Sequence, residues 1–190
     1  AVIDAEHAGP NFDLTQPATV RAVLDETRPD YVIHLAALSF VGHSDASAFY
    51  AVNVVGTTNL LEALAASKLQ PRRVVIASSA NVYGNAKVEP ITEATPPAPV
   101  NHYAASKLAM EMMVRTYTDR LPIVMTRPFN YTGVGQSINF LVPKLVAHFA
   151  QRRPFIELGN LEVVRDFSDV RAVAQAYLHL LTAEVPQGVT

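Results

Sequence analysis

Tyr103 and Lys107 stand four residues apart in Asn101-His102-Tyr103-Ala104-Ala105-Ser106-Lys107, a segment that continues in helical rhythm through Glu111. On an α-helix that spacing puts both side chains on one face, one turn apart. A phenol ordinarily titrates near ~10, and a neighbouring ammonium favours the phenolate. Bringing it about three units down, toward working pH, takes roughly 4 kcal/mol from charge and hydrogen bonds. Such a pair can move a proton to or from a substrate oxygen near neutral pH. Tyr–Lys pairs at this spacing are also common on ordinary amphipathic helices, so the elements around it decide its meaning.

Those elements alternate between strand and helix. Asp13-Leu14-Thr15-Gln16-Pro17 opens a helix, with Thr15 as the N-cap and Pro17 in the first turn. It runs through Val20, Val23 and Leu24 and stops at Pro29. Tyr31 to Ala37 is a short, continuous apolar run rich in β-branched residues, as expected of a strand covered on both faces of a parallel sheet. A long helix from about Ala46 to Ser67 carries Leu60, Leu61 and Leu64 on its apolar stripe, and Arg73 to Ser78 forms a second buried strand. A proline-rich loop, Pro90 to Pro99, leads to the Tyr103 helix; Leu121 to Thr126 is a third strand. Beyond it the pattern predicts a helix from Phe140 to Gln151, extended pieces around Ile156 and Val163, and a last helix from Val170 to Thr182. Three β–α units with right-handed crossovers predict an α/β fold with a doubly wound parallel sheet. Residues 1–130 read as the sheet domain, and 131–190 as a small substrate-facing part intertwined with it.

Composition removes several function classes. The chain has 190 residues, 49% of them hydrophobic, which is enough for one core. With 15 basic and 17 acidic residues it has no field for gripping a nucleic-acid backbone. No uninterrupted apolar run reaches the ~18 residues of a membrane span. The start, Ala1-Val2-Ile3-Asp4, lacks the layout of a signal peptide, and the absence of cysteine makes a cytoplasmic setting the expectation. The six histidines are scattered singly, without zinc-site spacing, so no metal is expected.

In an open parallel sheet, ligands bind at the carboxyl ends of the strands. After the first strand come the small residues Ala36-Ala37-Leu38-Ser39; after the second, Ser78-Ser79-Ala80-Asn81-Val82-Tyr83-Gly84. After the third comes Arg127-Pro128-Phe129-Asn130-Tyr131-Thr132-Gly133. Each end turns polar or small where the apolar run stops, and the Tyr103 helix lies between the last two. A Ser79 hydroxyl near Tyr103 can donate to the same substrate oxygen. Ser78 is open to a different use, as a cap of the strand end. No Gly-x-Ser-x-Gly elbow surrounds either serine, which weakens a hydrolase reading.

In order and spacing these motifs resemble the extended short-chain dehydrogenase/reductase family, which acts on nucleotide sugars. The resemblance runs from Asp13-Leu14 through His34 to Ala37, Asn53 to Thr57, Ser78-Ser79, Val82 to Gly84, Tyr103 to Lys107 and Arg127 to Asn130, and ends at Arg165-Asp166-Phe167. It implies a Rossmann-like sheet, with Tyr103, Lys107 and Ser79 as the catalytic residues. NAD or NADP would be bound by Asp13, Leu14, Leu35, Ala36, Ala37, Ser78, Tyr103, Lys107 and Pro128. Ser39, Ser79 and Asn81 would face the sugar, and Asn130 and Arg165 the diphosphate, for which a guanidinium fork is suited. Asn53 is expected to pin backbone near the site. The family also assembles as homodimers, and apolar Leu108, Met112 and Met113 on several helix faces are in keeping with that.

Two departures stand out. The family's Gly-rich phosphate loop and first strand–helix unit do not occur in the chain, and the expectation is that a preceding segment supplies them, together with the residue that separates NAD from NADP. Ala172 stands where the family usually carries aspartate, a position read as a helix-start contact.

For the reaction, family dehydratases place an acidic pair just after the catalytic hydroxyl, but Ala80 and Asn81 occupy those positions here. Neither exchanges a proton at neutral pH, which argues against a dehydratase. The Arg127 to Gln136 and Val164 to Val170 segments resemble reductases that convert GDP-4-keto-6-deoxy-D-mannose to GDP-D-rhamnose. A nucleotide-sugar 4-epimerase is the alternative reading, and a non-catalytic nucleotide-binding module is the alternative of another class.

Overall fold

The computed structural model describes residues 12–39, 44–159, 161–184 and 188–189. Among these, one compact unit runs to Pro128 and resumes at Tyr177, and a second comprises Phe129–Ala176.

The first unit is built on four parallel strands, β1 (Tyr31–His34), β2 (Arg73–Ala77), β3 (Ile123–Thr126) and β6 (Gly188–Val189), in the order β1-β2-β3-β6. The register sets Val32 beside Val74 and Ile123, and His34 beside Ile76 and Met125. That face meets α1 (Pro17–Thr27), α3 (Thr57–Ala66) and α4 (His102–Arg115) in one apolar core with Val20, Leu24, Leu61, Leu64, Met110 and Val114. On the opposite face Val75 and Val124 are equally shut from water. There Thr126 Oγ1 donates to the phenol of Tyr177, from α6 (Val170–Thr182), at 3.2 Å. Strands covered on both faces read as continuous apolar runs, which is why β2 and β3 were legible as such.

Three sequence expectations change in this unit. Thr15 is not the N-cap of α1: its hydroxyl donates to Asp13 Oδ1 at 2.7 Å, and Gln16 occupies the cap position with Pro17 as the first helical residue. The first strand ends at His34 instead of Ala37, and Leu35, past the end of the ladder, is 55% exposed. The long helix predicted from Ala46 to Ser67 is three pieces: α2 (Ala46–Tyr50), a π-helical turn (Ala51–Gly56) and α3. A π turn adds one residue to the helical cycle and commonly marks a functional site. Here it carries Asn53.

The second unit pairs β4 (Asn130–Thr132) in parallel with β5 (Phe167–Asp169) and contains α5 (Leu141–Ala150). The segments around Ile156 and Val163 carry neither helix nor strand, and the strand ladder described in this unit joins β4 to β5. In the first turn of α6, Asp169 Oδ1 accepts from the Arg171 amide at 2.8 Å, so Asp169 supplies the helix-start contact near Ala172. Among the described residues no helix is long and apolar enough to cross a membrane.

Candidate active site at the end of β2

Helix α4 begins with Asn101, whose Oδ1 accepts from the Ala104 amide at 2.8 Å. That cap satisfies one of the orphan donors of the first turn and starts the helix two residues before Tyr103. Tyr103 is buried, its ring 6.3 Å from that of Phe49. One turn on, Lys107 is only 3% exposed, and its Nζ donates to the carbonyl of Ala77, the last residue of β2, at 2.8 Å. Burial pulls the Lys107 ammonium down to about 8, while Glu111 one turn further holds it up.

Ser78 and Ser79 follow Ala77 directly. The Ser78 amide donates to Thr126 O at 2.7 Å and the Ala80 amide to Pro128 O at 2.9 Å, so the ends of β2 and β3 are stitched together. Ser79 caps the short 3₁₀ turn Ala80–Tyr83, with its Oγ accepting from the Asn81 amide at 3.2 Å and from Asn81 Nδ2 at 3.3 Å. Both of these bonds use oxygen lone pairs, which leaves the Ser79 hydrogen available to donate. Gly84 closes this turn at φ 59°, where a Cβ would lie 1.9 Å from the Ala98 carbonyl oxygen. No other residue permits that approach of the proline-rich loop.

The loop after β1 is held by Asn53, which is wholly buried. Its Oδ1 accepts from the Leu38 amide at 2.9 Å, and its Nδ2 donates to Leu38 O at 3.1 Å and to Ser106 Oγ at 3.0 Å. Ser106 Oγ in turn donates to the Tyr103 carbonyl at 2.8 Å. Asn53 thus pins the Leu35–Ser39 segment and α4 to one point, as the sequence led us to expect. Leu35 and Ala36 are open to solvent, Ala37 is half-buried and Ser39 exposed. Beneath them His34 Nε2 lies 2.8 Å from Thr57 Oγ1, whose hydrogen goes to Asn53 O at 2.8 Å. The imidazole nitrogen is therefore the donor of that pair. Burial first, and the Lys107 charge second, push His34 down to about 3, so it is neutral.

The remaining predicted residues are placed as follows. Asp13 is exposed, with Oδ1 accepting from the amide and hydroxyl of Thr15. The Leu14 side chain is turned into the core, and its carbonyl accepts from Asn59 Nδ2 at 3.0 Å. Pro128 is half-buried beside the Ser79 turn through the Ala80 bond. Asn130 and Arg165 belong to the second unit, where both are exposed; Asn130 Nδ2 donates to Asp166 O at 3.1 Å and Arg165 Nη1 to Val164 O at 2.8 Å.

This arrangement has relatives. The pattern of the NAD dependent epimerase/dehydratase family matches residues 4–189. The chain belongs to that family. It is 43% identical to the GDP-6-deoxy-D-talose 4-dehydrogenase of Aggregatibacter actinomycetemcomitans, over 90% of this chain and 58% of the relative. It is 36% identical to the GDP-6-deoxy-D-mannose reductase of Pseudomonas aeruginosa, over 90% of this chain and 59% of the relative. The solved structure of RMD from Pseudomonas aeruginosa, complexed with NADPH, superposes with a TM-score of 0.86 at 34% identity, covering all of this chain and 68% of that one. The chain therefore spans under two thirds of the length of these curated relatives.

A family member needs hydrogen-bonding groups for a nicotinamide dinucleotide, and one feature at the end of β2 fits that group. Ser78 Oγ is buried and has no hydrogen-bond partner among the described residues. A buried hydroxyl left unmatched costs about 1–3 kcal/mol, and a ligand's acceptor or donor at this point would remove that cost. Sequence reasoning missed two further groups. Glu111 is wholly buried and is gripped by Arg127, with Nε to Oε1 at 2.9 Å and Nη2 to Oε2 at 2.5 Å. A carboxylate at the next turn of the Tyr103–Lys107 face, among Met110 and Val114, was the available signal.

Proposed function

We propose that this chain forms the catalytic core of an NAD(P)-dependent nucleotide-sugar oxidoreductase. It would reduce the 4-keto group of GDP-4-keto-6-deoxy-D-mannose to GDP-D-rhamnose or its C4 epimer. The observation that carries the reading is the seating of the Lys107 ammonium on the Ala77 carbonyl, directly before Ser78 and Ser79 and on the same helix as Tyr103. The names of the two curated relatives describe sugars that differ at C4, and oxidation of either sugar at C4 gives one and the same ketone. Their shared chemistry is thus a hydride and a proton added across that carbonyl.

A bound nicotinamide dinucleotide supplies the hydride. Ser78, Lys107, Pro128, the Leu35–Ala37 segment and the Asp13–Leu14 turn are the groups proposed to hold it, with Leu14 contributing its backbone edge. Ser79 donates its uncommitted hydrogen to the substrate oxygen and keeps it within reach of Tyr103. Tyr103 delivers the proton to the developing alkoxide, and the Lys107 charge lowers the cost of the phenolate left behind. Asn81, an amide where a dehydratase needs an acid, hydrogen-bonds Ser79 and has no proton to trade at neutral pH. Asn130 and Arg165 are the proposed diphosphate contacts, and Ser39 and Asn81 the sugar contacts. We read the protein as a cytoplasmic homodimer; Val55 of the π turn and Met112 of α4 are half exposed, an apolar surplus that a partner would cover.

The test is full-length protein with NADPH or NADH and GDP-4-keto-6-deoxy-D-mannose. Loss of the nicotinamide absorbance is expected, and the H4 coupling of the product then assigns its C4 configuration. No oxidation of either cofactor would sink the reductase reading. Interconversion of UDP-glucose and UDP-galactose without added cofactor would replace it with the epimerase, and cofactor binding without either reaction would leave a binding module.

A further inference from the structure

We propose that Glu111 is a positioning residue for Lys107: locked in the fork of Arg127, its carboxylate lies one helical turn further along α4 and supplies the negative charge of a buried cluster that would otherwise hold only cations. The inference rests on the reading above only for the use to which the charged Lys107 is put.

The geometry is a buried chain of charges. Lys107 has left water almost completely, and among the described residues its ammonium donates to a neutral carbonyl at the end of β2. Glu111 lies on the same face of α4, four residues on, with no exposed surface. Arg127, which leaves the end of β3 and is itself 8% exposed, holds both carboxylate oxygens. Its Nη1 then donates to the Tyr83 phenol at 3.0 Å, in the turn that Ser79 caps. One guanidinium therefore ties the Tyr103–Lys107 helix to the Ser79 turn. The charged and titratable groups around Lys107 are neutral His34 from β1, Tyr103 one turn before it and Glu111 one turn after it on α4, with Arg127 and Tyr83 bonded behind Glu111; of these Glu111 raises the Lys107 value.

If Glu111 loses its charge, two cations remain in one buried cluster with no anion. Arginine does not give up its proton in proteins, so the lysine does. Replacing both members of the Glu111–Arg127 pair by apolar side chains removes the repulsion as well as the support, so Lys107 should suffer less.

Lys107 can be read directly in full-length protein labelled with [ε-¹³C]lysine, its signal assigned by its disappearance in Lys107→Arg. In Glu111→Gln the Lys107 midpoint should fall by about one unit or more. In Glu111→Asp, which keeps the charge, it should stay near the wild-type value. In the Glu111→Leu/Arg127→Met double variant it should fall between the two. In turnover assays the alkaline limit of Glu111→Gln should move to lower pH with the lysine midpoint. An unchanged Lys107 midpoint in folded Glu111→Gln would overturn the proposal. Should that variant not fold, the reading is taken on Glu111→Met, where an unchanged Lys107 midpoint overturns it equally. The titration needs no substrate, so failure of the reductase assay and failure of this inference are separate results.

Discussion

Lys107 of α4 donates to the carbonyl of Ala77, the last residue of β2, across 2.8 Å. That single bond brings the ammonium to the point where the chain turns from sheet into Ser78 and Ser79, so the helix bearing Tyr103 and the turn bearing Ser79 share one reference.

Tyr103→Phe removes the proposed proton donor and keeps the ring that packs beside Phe49. Turnover should drop by about 10²–10⁴-fold, the range for loss of a general acid. Nicotinamide binding, followed by fluorescence titration, should stay within a few-fold of wild type. A variant that retains turnover removes Tyr103 from the mechanism.

Ser79→Ala should lower kcat by roughly a hundredfold, the scale for losing one oxyanion-stabilising donor. The same hydroxyl caps the Ala80–Tyr83 turn, so a stability loss of about 1 kcal/mol should accompany it. The kinetic effect must exceed anything explained by unfolded protein in the same sample.

Lys107 titrates near 8 in the fold against an ordinary 10.5, because burial disfavours its charge. The unfolded chain holds this proton more tightly, so the charged lysine destabilises the fold at pH 7. That cost fades as pH rises through 8 toward 10.5. Lys107→Met should therefore be more stable than wild type at pH 7, by about 3 kcal/mol at most, while losing activity. The gain should shrink at pH 10. Equal denaturation midpoints at pH 7 would contradict the burial argument.

His34 carries the opposite lability. Its folded value of about 3 lies below the ordinary 6.5, so the unfolded state binds a proton first as pH falls. Stability contributed by the neutral ring is complete above pH 6.5 and declines below it, by about 2 kcal/mol at pH 5. His34→Gln should flatten that part of the curve in urea denaturation at a series of pH values. Parallel curves for the two proteins would show that another group governs acid unfolding.

Asn53→Ala strands the Leu38 amide and carbonyl together, at about 1–3 kcal/mol for each buried group left unmatched. Hydrogen exchange at the Leu38 amide should accelerate well beyond that of β2. Protection unchanged from wild type would mean that the loop after β1 is held by something other than Asn53.

Most elements of the fold were legible because their signals are local. Buried parallel strands announce themselves as uninterrupted β-branched runs, as in Arg73 to Ala77, and α6 was read with its observed bounds from apolar periodicity. The Tyr103–Lys107 pair was equally local, since four residues along a helix determine a shared face. Thr15 misled because a hydroxyl next to a proline-led helix looks like a cap until the Asp13 carboxylate, two residues before it, claims it.

The sequence alone therefore determined three of the four strands of the main sheet, the helices between them and the shared helix face of Tyr103 and Lys107, all encoded in windows of a few residues; β4, β5 and the short β6 were not among them. Only the tertiary structure decided that Asn53 sits in a π turn, because its partners Leu38 and Ser106 are 15 and 53 residues away. It likewise decided that Glu111 meets Arg127 across 16 residues of chain, and that the Ser78 hydroxyl is buried without a partner among the described residues. Burial and pairing at such separations depend on strand register and helix docking, which no local pattern specifies.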